Sequence, residues 1–303
     1  MIHGAARGAE VRILAPAKIN LGLAVLGRRA DGYHELRTLF QAVSLCDTVS
    51  LRRARSGVRV RCAALADLGE RNLAHRAADL FFEMTGISGG VRIELEKRIP
   101  AGGGLGGGSS DAAAVILGCC RLYGVRPRPE RLDAWAASLG SDVPFFLTGG
   151  SAVGSGRGEA IEPLAPLSVP VVALLHLGTE GLSTAAVYRR LGSDALTGRG
   201  RDLTILIARW REGNLRRLGA ALFNDLEPPA FALAPGCAAV KEALLEAGAA
   251  GSLLCGSGSS VFGLFGSGAE ADLARRRLGD RLPGRLVKVH FLPARRRWGV
   301  VKR

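Results

Sequence analysis

Apolar and polar residues partly alternate through VRILAPAKINLGLAVLG (residues 11–27) and VRIELEKRIP (91–100), a period-two pattern that predicts strands. DTVSLRRA (47–54) and VRVRCAAL (58–65) read as two further strands. NLAHRAADLFFEMTG (72–86) changes period: its apolar residues fall on one helical face, with Asn72 placed to cap the start and Gly86 to stop the end. DAAAVILGCCRLYG (111–124) and PERLDAWAASLG (129–140) predict two more helices, the second with a proline near its first turn. GGSAVGSGRGEAIEPL (149–164) reads as a hairpin and VPVVALLHLG (169–178) as a buried strand. Beyond them, helices are expected over Ser183–Leu191, Leu203–Leu222, Gly236–Ala247 and Ala269–Leu278. SLLCGSGSSVFGLF (252–265) gives strand, turn and strand, and LVKVHFLP (286–293) a final strand. No repeat and no low-complexity linker divides the chain. The mixture predicts an α+β protein of two domains, 1–160 and 161–303.

Composition narrows this picture little. The chain has 303 residues, 48% hydrophobic and 22% charged, ordinary for a soluble globular protein. The start, MIHGAARGAEVRILAPAKIN, lacks an apolar stretch followed by a cleavage site, which points to a cytoplasmic protein. The longest uncharged run, Ala247–Ala269, has twelve Gly or Ser among its 23 residues and is too polar for a membrane span. Six cysteines show no metal-binding spacing and read as reduced thiols. Net charge is +14, but Arg275–Arg303 alone holds eleven Lys or Arg against the single acid Asp280. That tail has only Phe291 and Trp298 as aromatics, so a solvated basic face is expected rather than a nucleic-acid surface.

The candidate chemistry lies in PAGGGLGGGSSD (100–111), where six glycines occupy seven positions broken only by Leu105. The run follows a strand and opens a helix. Glycines let backbone N–H groups converge on a ligand, and the helix start adds its positive dipole end, so the loop suits phosphates. A Walker A loop is excluded because no Gly-Lys-Ser/Thr follows. Gly102, Gly104 and Gly107 fit a dinucleotide fingerprint, but the acid that fold needs about 20 residues later is not there. Ser109 and Ser110 stand where a helix cap or a Mg²⁺ ligand would be.

PAGGGLGGGSSDAA resembles the central phosphate motif of the GHMP kinases, and APAKINLGL and LLCGSGSSVFGLF resemble the two motifs that flank it. KINLGL, RADGYHELRTLFQAVSLCDTV, GSDVPFF and FNDLEP are similar to the members that phosphorylate 4-diphosphocytidyl-2-C-methyl-D-erythritol in the non-mevalonate isoprenoid pathway. The resemblance runs from about Leu14 to Phe265. It implies an N-terminal domain like the second domain of ribosomal protein S5, a ferredoxin-like C-terminal domain, ATP as co-substrate and Mg²⁺ on its phosphates. The partner it implies is the small-molecule acceptor, with no nucleic acid or membrane, in a monomer or homodimer.

Residue by residue, the resemblance makes Asp142 the carboxylate that accepts the acceptor's hydroxyl proton. It makes Lys18 the cation that stabilises charge on the transferred phosphoryl group. Alone, Asp142 reads equally as a cap of the VPFF turn and Lys18 as a solvated strand residue. Asn72 and Lys97 fall where the family contacts adenine or ribose; a helix cap and an edge-strand charge are the plainer readings. Pro100, Gly102, Gly103, Gly104, Gly106, Gly107, Gly108, Ser109 and Ser110 form the phosphate cradle, with Ser109 or Ser110 as possible metal ligand. Tyr33 and His34 resemble the pair that stacks on cytosine and reads its polar edge, and Tyr188 the opposite stacking wall. Asn20, on the same strand face as Lys18, would donate to the acceptor, and Thr184 would lie near its diphosphate. Gly256, Ser257, Gly258 and Ser259 match the third motif, which supports the glycine loop; a tight hairpin is the bland alternative. Three other readings are a kinase of another small alcohol, such as homoserine or mevalonate, a nucleotide-binding module without transfer, and a nucleic-acid-binding protein working through its basic tail.

Overall fold

The computed structural model describes residues 10–63, 72–178, 181–191 and 203–294. The first nine residues and the last nine of the basic tail therefore lie outside the described residues.

Strands β1 (Glu10–Arg28) and β2 (His34–Ala54) form an antiparallel pair from Glu10 opposite Arg52 to Arg28 opposite His34. β2 starts far earlier than the strand expected at residue 47. Its polar residues Thr38 and Gln41 hide the pattern, and both are buried with their hydrogen bonds satisfied: Thr38 donates to the Gly22 carbonyl at 2.7 Å and Gln41 to that of Ala42 at 2.7 Å. Three register shifts, at Pro16/Ala17, Asn20/Gly22 and Val25/Gly27, bend β1 through the molecule. Val11 and Ile13 join one apolar core, Ile19 and Leu21 a second, and Leu23 and Val25 a third.

The first sheet also holds β3 (Gly57–Cys62), β4 (Gly90–Glu96) and the hairpin β5 (Ser151–Gly156) and β6 (Ala160–Leu164). Helices α1 (Leu73–Thr85), α2 (Gly107–Tyr123), α3 (Pro129–Leu139) and α4 (Val143–Thr148) belong with this sheet. Phe81, Phe145 and Phe146 from α1 and α4 are buried in its core, each worth about 1.5–3 kcal/mol in transfer from water.

The second sheet begins at β7 (Val172–Leu177), so the chain changes sheets between Leu164 and Val172. Next come α5 (Thr184–Arg189), α6 (Leu203–Glu212) and α7 (Leu215–Ala220). The single helix expected over Leu203–Leu222 is thus two. Gly213 takes a left-handed φ of 67°, and the Asn214 side chain caps a fresh start by accepting from the Arg217 N–H at 3.0 Å. The two-residue strand β8 (Phe223–Asn224) returns to the first sheet and pairs in parallel with β1. It is followed by α8 (Glu227–Leu233), α9 (Gly236–Glu246), β9 (Gly251–Leu254), β10 (Val261–Phe265), α10 (Gly268–Leu278) and β11 (Arg285–His290). The antiparallel order β11-β7-β10-β9, with helical connections after its first and third strands in chain order, is the ferredoxin-like arrangement.

None of the six cysteines forms a disulfide; burial pushes the Cys255 thiol up to about 12. Among the described residues, no helix is long and apolar enough to cross a membrane.

Candidate active site

One cleft of about 1310 Å³ runs between the glycine loop, a face of β1 and α5. That lies above the usual range for a small-ligand pocket.

The glycine loop is pinned at both ends and in its middle. Leu105, the one side chain interrupting the glycines, is buried in the second core, and its carbonyl accepts from the Lys18 N–H at 3.0 Å. Gly104 has φ 73° and lies so close to the third motif that a Cβ there would stand 1.8 Å from the Cys255 carbonyl oxygen. Ser260 N–H donates to the Gly103 carbonyl at 3.3 Å, and Leu182 N–H to that of Gly102 at 3.2 Å. Helix α2 then starts at Gly107, earlier than its apolar pattern indicates, after Gly106 as a left-handed N-cap with no side-chain bond. The serines are therefore inside the first turns rather than at the cap. Ser109 lines the cleft beside Pro100 and the glycines 102–104 and 106–108, whereas Ser110 turns into the core and is 1% exposed.

Lys18 and Asn20 project from the same face of β1, while Ala17, Ile19 and Leu21 turn to the core. Lys18 is 4% exposed, not solvated. Its ammonium donates to Asn20 Oδ1 at 2.7 Å and stands 3.6 Å from Asp142 Oδ2, with the Phe40 ring at 5.6 Å. Asn20 Nδ2 in turn donates one N–H to Thr38 Oγ1 at 2.8 Å, so its amide orients Lys18 and keeps a second N–H at the cleft wall. Asp142 precedes α4 but makes no capping bond, and its side chain is 33% exposed toward the cleft.

At the other side of the loop, Asn72 both caps α1, accepting from the Ala74 N–H at 2.8 Å, and lines the cleft. Lys97 is no edge-strand charge. It donates to Asp47 Oδ2 and, at 2.6 Å, to Asp111 Oδ2. Burial works to lower the Lys97 pKa, yet Asp111 and Asp47 hold it above the ordinary lysine range. Burial pushes the Asp111 carboxyl up to about 6 against the pull of Lys97.

The third group of rings lies near α5. His34 stacks on Tyr188 with centroids 4.8 Å apart and planes at 28°. Tyr33, 55% exposed, instead has the Arg157 guanidinium 4.8 Å over its ring. Tyr33, His34 and Tyr188 all line the cleft, with the imidazole against the Tyr188 ring. Burial, then the charge of Arg28, lowers the His34 pKa, and burial, then Asp142, raises that of Tyr188. Thr184 opens α5 and shares a 2.9 Å hydrogen bond with the Ser257 hydroxyl. Of the third motif, Gly256 and Ser257 line the cleft. Gly258 and Ser259 do not: Gly258 lies against Leu254 and Leu182, and the Ser259 carbonyl accepts from Cys237.

Residues 72–150 match the family described as GHMP kinases N terminal domain, and residues 206–284 match GHMP kinases C terminal. The chain belongs to the GHMP kinases. This GHMP kinase is 42% identical over 278 residues to the Moorella thermoacetica protein named 4-diphosphocytidyl-2-C-methyl-D-erythritol kinase, covering 90% of this chain and 96% of that one. With the Thermus thermophilus protein of the same name it shares 45% over 251 residues, 83% and 86% of the two chains. A crystal structure of 4-(cytidine 5'-diphospho)-2C-methyl-D-erythritol kinase superposes with a TM-score of 0.78 at 40% identity, covering 92% and 98%. Homoserine kinase from Cytophaga hutchinsonii, at 22% identity and a TM-score of 0.70, shares the fold.

In this GHMP kinase the residues that sequence reasoning missed are Asp47, Asp111 and Arg157. Asp47 carried a signal, being a lone acid between Cys46 and Thr48 in a strand. Asp111 sat inside the glycine motif itself, and Arg157 at a hairpin tip gave no sign that its partner would be Tyr33.

Proposed function

We propose that this chain transfers the γ-phosphoryl group of ATP to the 2-hydroxyl of 4-diphosphocytidyl-2-C-methyl-D-erythritol, a step of the non-mevalonate isoprenoid pathway. The observation that carries the reading is the Lys18–Asp142 pair, 3.6 Å apart, in the same cleft as the glycine loop and the His34–Tyr188 rings. Phosphoryl transfer asks the protein for position and charge more than for covalent chemistry. ATP phosphates lie against the loop N–H groups and the start of α2. The acceptor's cytosine is read by His34 and Tyr188, with Tyr33 beside them, which sets its distal hydroxyl before Asp142.

Asp142 takes the hydroxyl proton as the oxygen attacks in line. The Lys18 ammonium, aimed by Asn20 and itself buried, neutralises charge on the transferring oxygens. Thr184 and Ser257 stand between the rings and the loop, where the acceptor's diphosphate would run.

Among the described residues no cluster of three or more His, Cys, Asp or Glu is gathered as a metal cage. Ser109, whose hydroxyl lies in the cradle, would be the residue to hold a Mg²⁺ that comes with the nucleotide. Bound there, Mg²⁺ would supply countercharge to the β- and γ-phosphates. Buried Ser110 is not suited to that role.

The test is ADP release with Mg-ATP and the cytidyl acceptor, run beside homoserine and mevalonate. Turnover with the cytidyl compound alone supports the reading; turnover with either rival, or with none, overturns it.

A further inference from the structure

We propose that Asp111 is a positioning residue of the nucleotide side of the cleft: it holds Lys97, and through it the junction from β4 to the glycine loop, where ATP needs them. This rests on the reading above that the loop end of the cleft takes ATP.

Three elements converge on one ammonium. Asp47 comes from β2, Lys97 follows β4, and Asp111 lies in α2. Asp47 is fully tied: its Oδ1 accepts the N–H groups of Arg98 at 2.5 Å and Ile99 at 2.9 Å, and its Oδ2 accepts Lys97. It fixes the chain where β4 runs into the loop. Asp111 Oδ2 accepts from Lys97 at 2.6 Å, with the Asp47 carboxylate beside it, and its buried Oδ1 has no hydrogen-bond partner. Lys97 is thus a charged link that joins the anchored junction to the helix whose first turn faces the phosphates.

The link presses directly on the loop. A Cβ on Gly107, the first residue of α2, would lie 3.4 Å from Lys97 Nζ and 2.9 Å from Ile99 Cγ2. Loss of the Asp111 carboxylate leaves the ammonium with Asp47 alone and frees the helix start to shift against Ile99. The charged groups facing Asp111 are Lys97 and Asp47; α1 presents the apolar Leu73 to this turn. Lys97 pairs with Asp47 and Asp111 beside the glycine loop, whereas Asp142 pairs with Lys18, so the effect is expected on ATP rather than on the acceptor.

The experiment titrates β,γ-methylene ATP into wild type, Asp111→Asn, Asp111→Ala, Lys97→Met and the Asp111→Ala/Lys97→Met double variant by calorimetry, with KM for both substrates measured alongside. A rise of about 5-fold or more in nucleotide Kd for Asp111→Ala is expected, with acceptor KM within about 2-fold and the double variant no worse than the poorer single one. That non-additivity is what a residue acting through Lys97 must show. Additive losses, equal rises in both KM values, or a lower melting temperature with unchanged nucleotide affinity would each overturn the inference. If Asp111→Ala does not fold, Asp111→Asn decides: it keeps the shape, and an unaltered Kd rejects the role. A wild type that fails to bind the analogue sinks the nucleotide reading itself, a different result from binding that Asp111 does not affect.

Discussion

The Lys18 ammonium stands 3.6 Å from the Asp142 carboxylate and is held there by the Asn20 amide oxygen at 2.7 Å. One partner comes from a central strand and the other from the approach to a six-residue helix. With the proton acceptor removed and the shape kept, Asp142→Asn should lose about 10²–10⁴-fold in kcat while ATP KM moves little. Steady-state kinetics with ATP varied at saturating acceptor checks this.

Lys18→Met should cost about 10²–10³-fold in kcat, the range for losing one preorganised charge at a reacting oxygen. Lys18→Arg should not restore it. Lys18 is 4% exposed and its Nζ is held by Asn20 Oδ1 at 2.7 Å, a point contact that the longer, planar guanidinium does not reproduce. Activity in Lys18→Arg near that of wild type would show that charge alone is enough.

Two glycines of the same loop should behave oppositely. Gly104→Ala combines a left-handed φ of 73° with a Cβ 1.8 Å from the Cys255 carbonyl, and should destabilise by about 3 kcal/mol or more. Gly108 lies in α2, where a Cβ meets only Leu73 Cδ1 at 3.7 Å, so Gly108→Ala should gain up to about 1 kcal/mol in stability from helix propensity. Urea melts of both variants test the pair.

Asp111 should leave a signature in acid. Its folded pKa of about 6 exceeds the model-peptide value of 3.8, because burial outweighs Lys97. The folded state therefore binds more protons than the unfolded one between these limits, and this group's contribution to stability is full below pH 4 and lost as the pH rises through 6. The stability difference between Asp111→Asn and wild type should accordingly shift in the variant's favour from pH 4 to 6. Parallel stability curves over that interval would contradict the shift.

Tyr188→Leu removes the ring that stacks on His34 at 4.8 Å. Loss of one aromatic partner is worth about 0.5–1.5 kcal/mol, so acceptor KM should rise about 2–10-fold with ATP KM unchanged. A rise in ATP KM instead would place Tyr188 on the wrong side of the cleft.

Much of the fold was legible because local rules and tertiary packing agree. Asn72 and Gly86 bound α1 as capping chemistry requires, and Ser252–Phe265 forms strand, turn and strand. The errors fall where another part of the molecule intervenes. Thr38 and Gln41 look too polar for a buried strand until Gly22 and Ser151 supply partners. The short helices after Asp142 and Leu226 have prolines in their first turns but too few residues for a period to emerge. Ser109 and Ser110 looked like caps because side chains advertise capping; a left-handed glycine, Gly106, does it without one.

The sequence by itself determined that a glycine loop joins a strand to a helix, that Lys18 and Asn20 share a strand face, and which motifs stand in which order. Spacing along one element suffices for these, since side-chain direction follows backbone period. Only the tertiary structure decided that Lys18 faces Asp142, that Lys97 is spent on Asp47 and Asp111, and that His34 rather than Tyr33 meets Tyr188. Each of those pairings joins different elements, and their distances depend on how β1 bends at its bulges and how the two sheets meet around the loop.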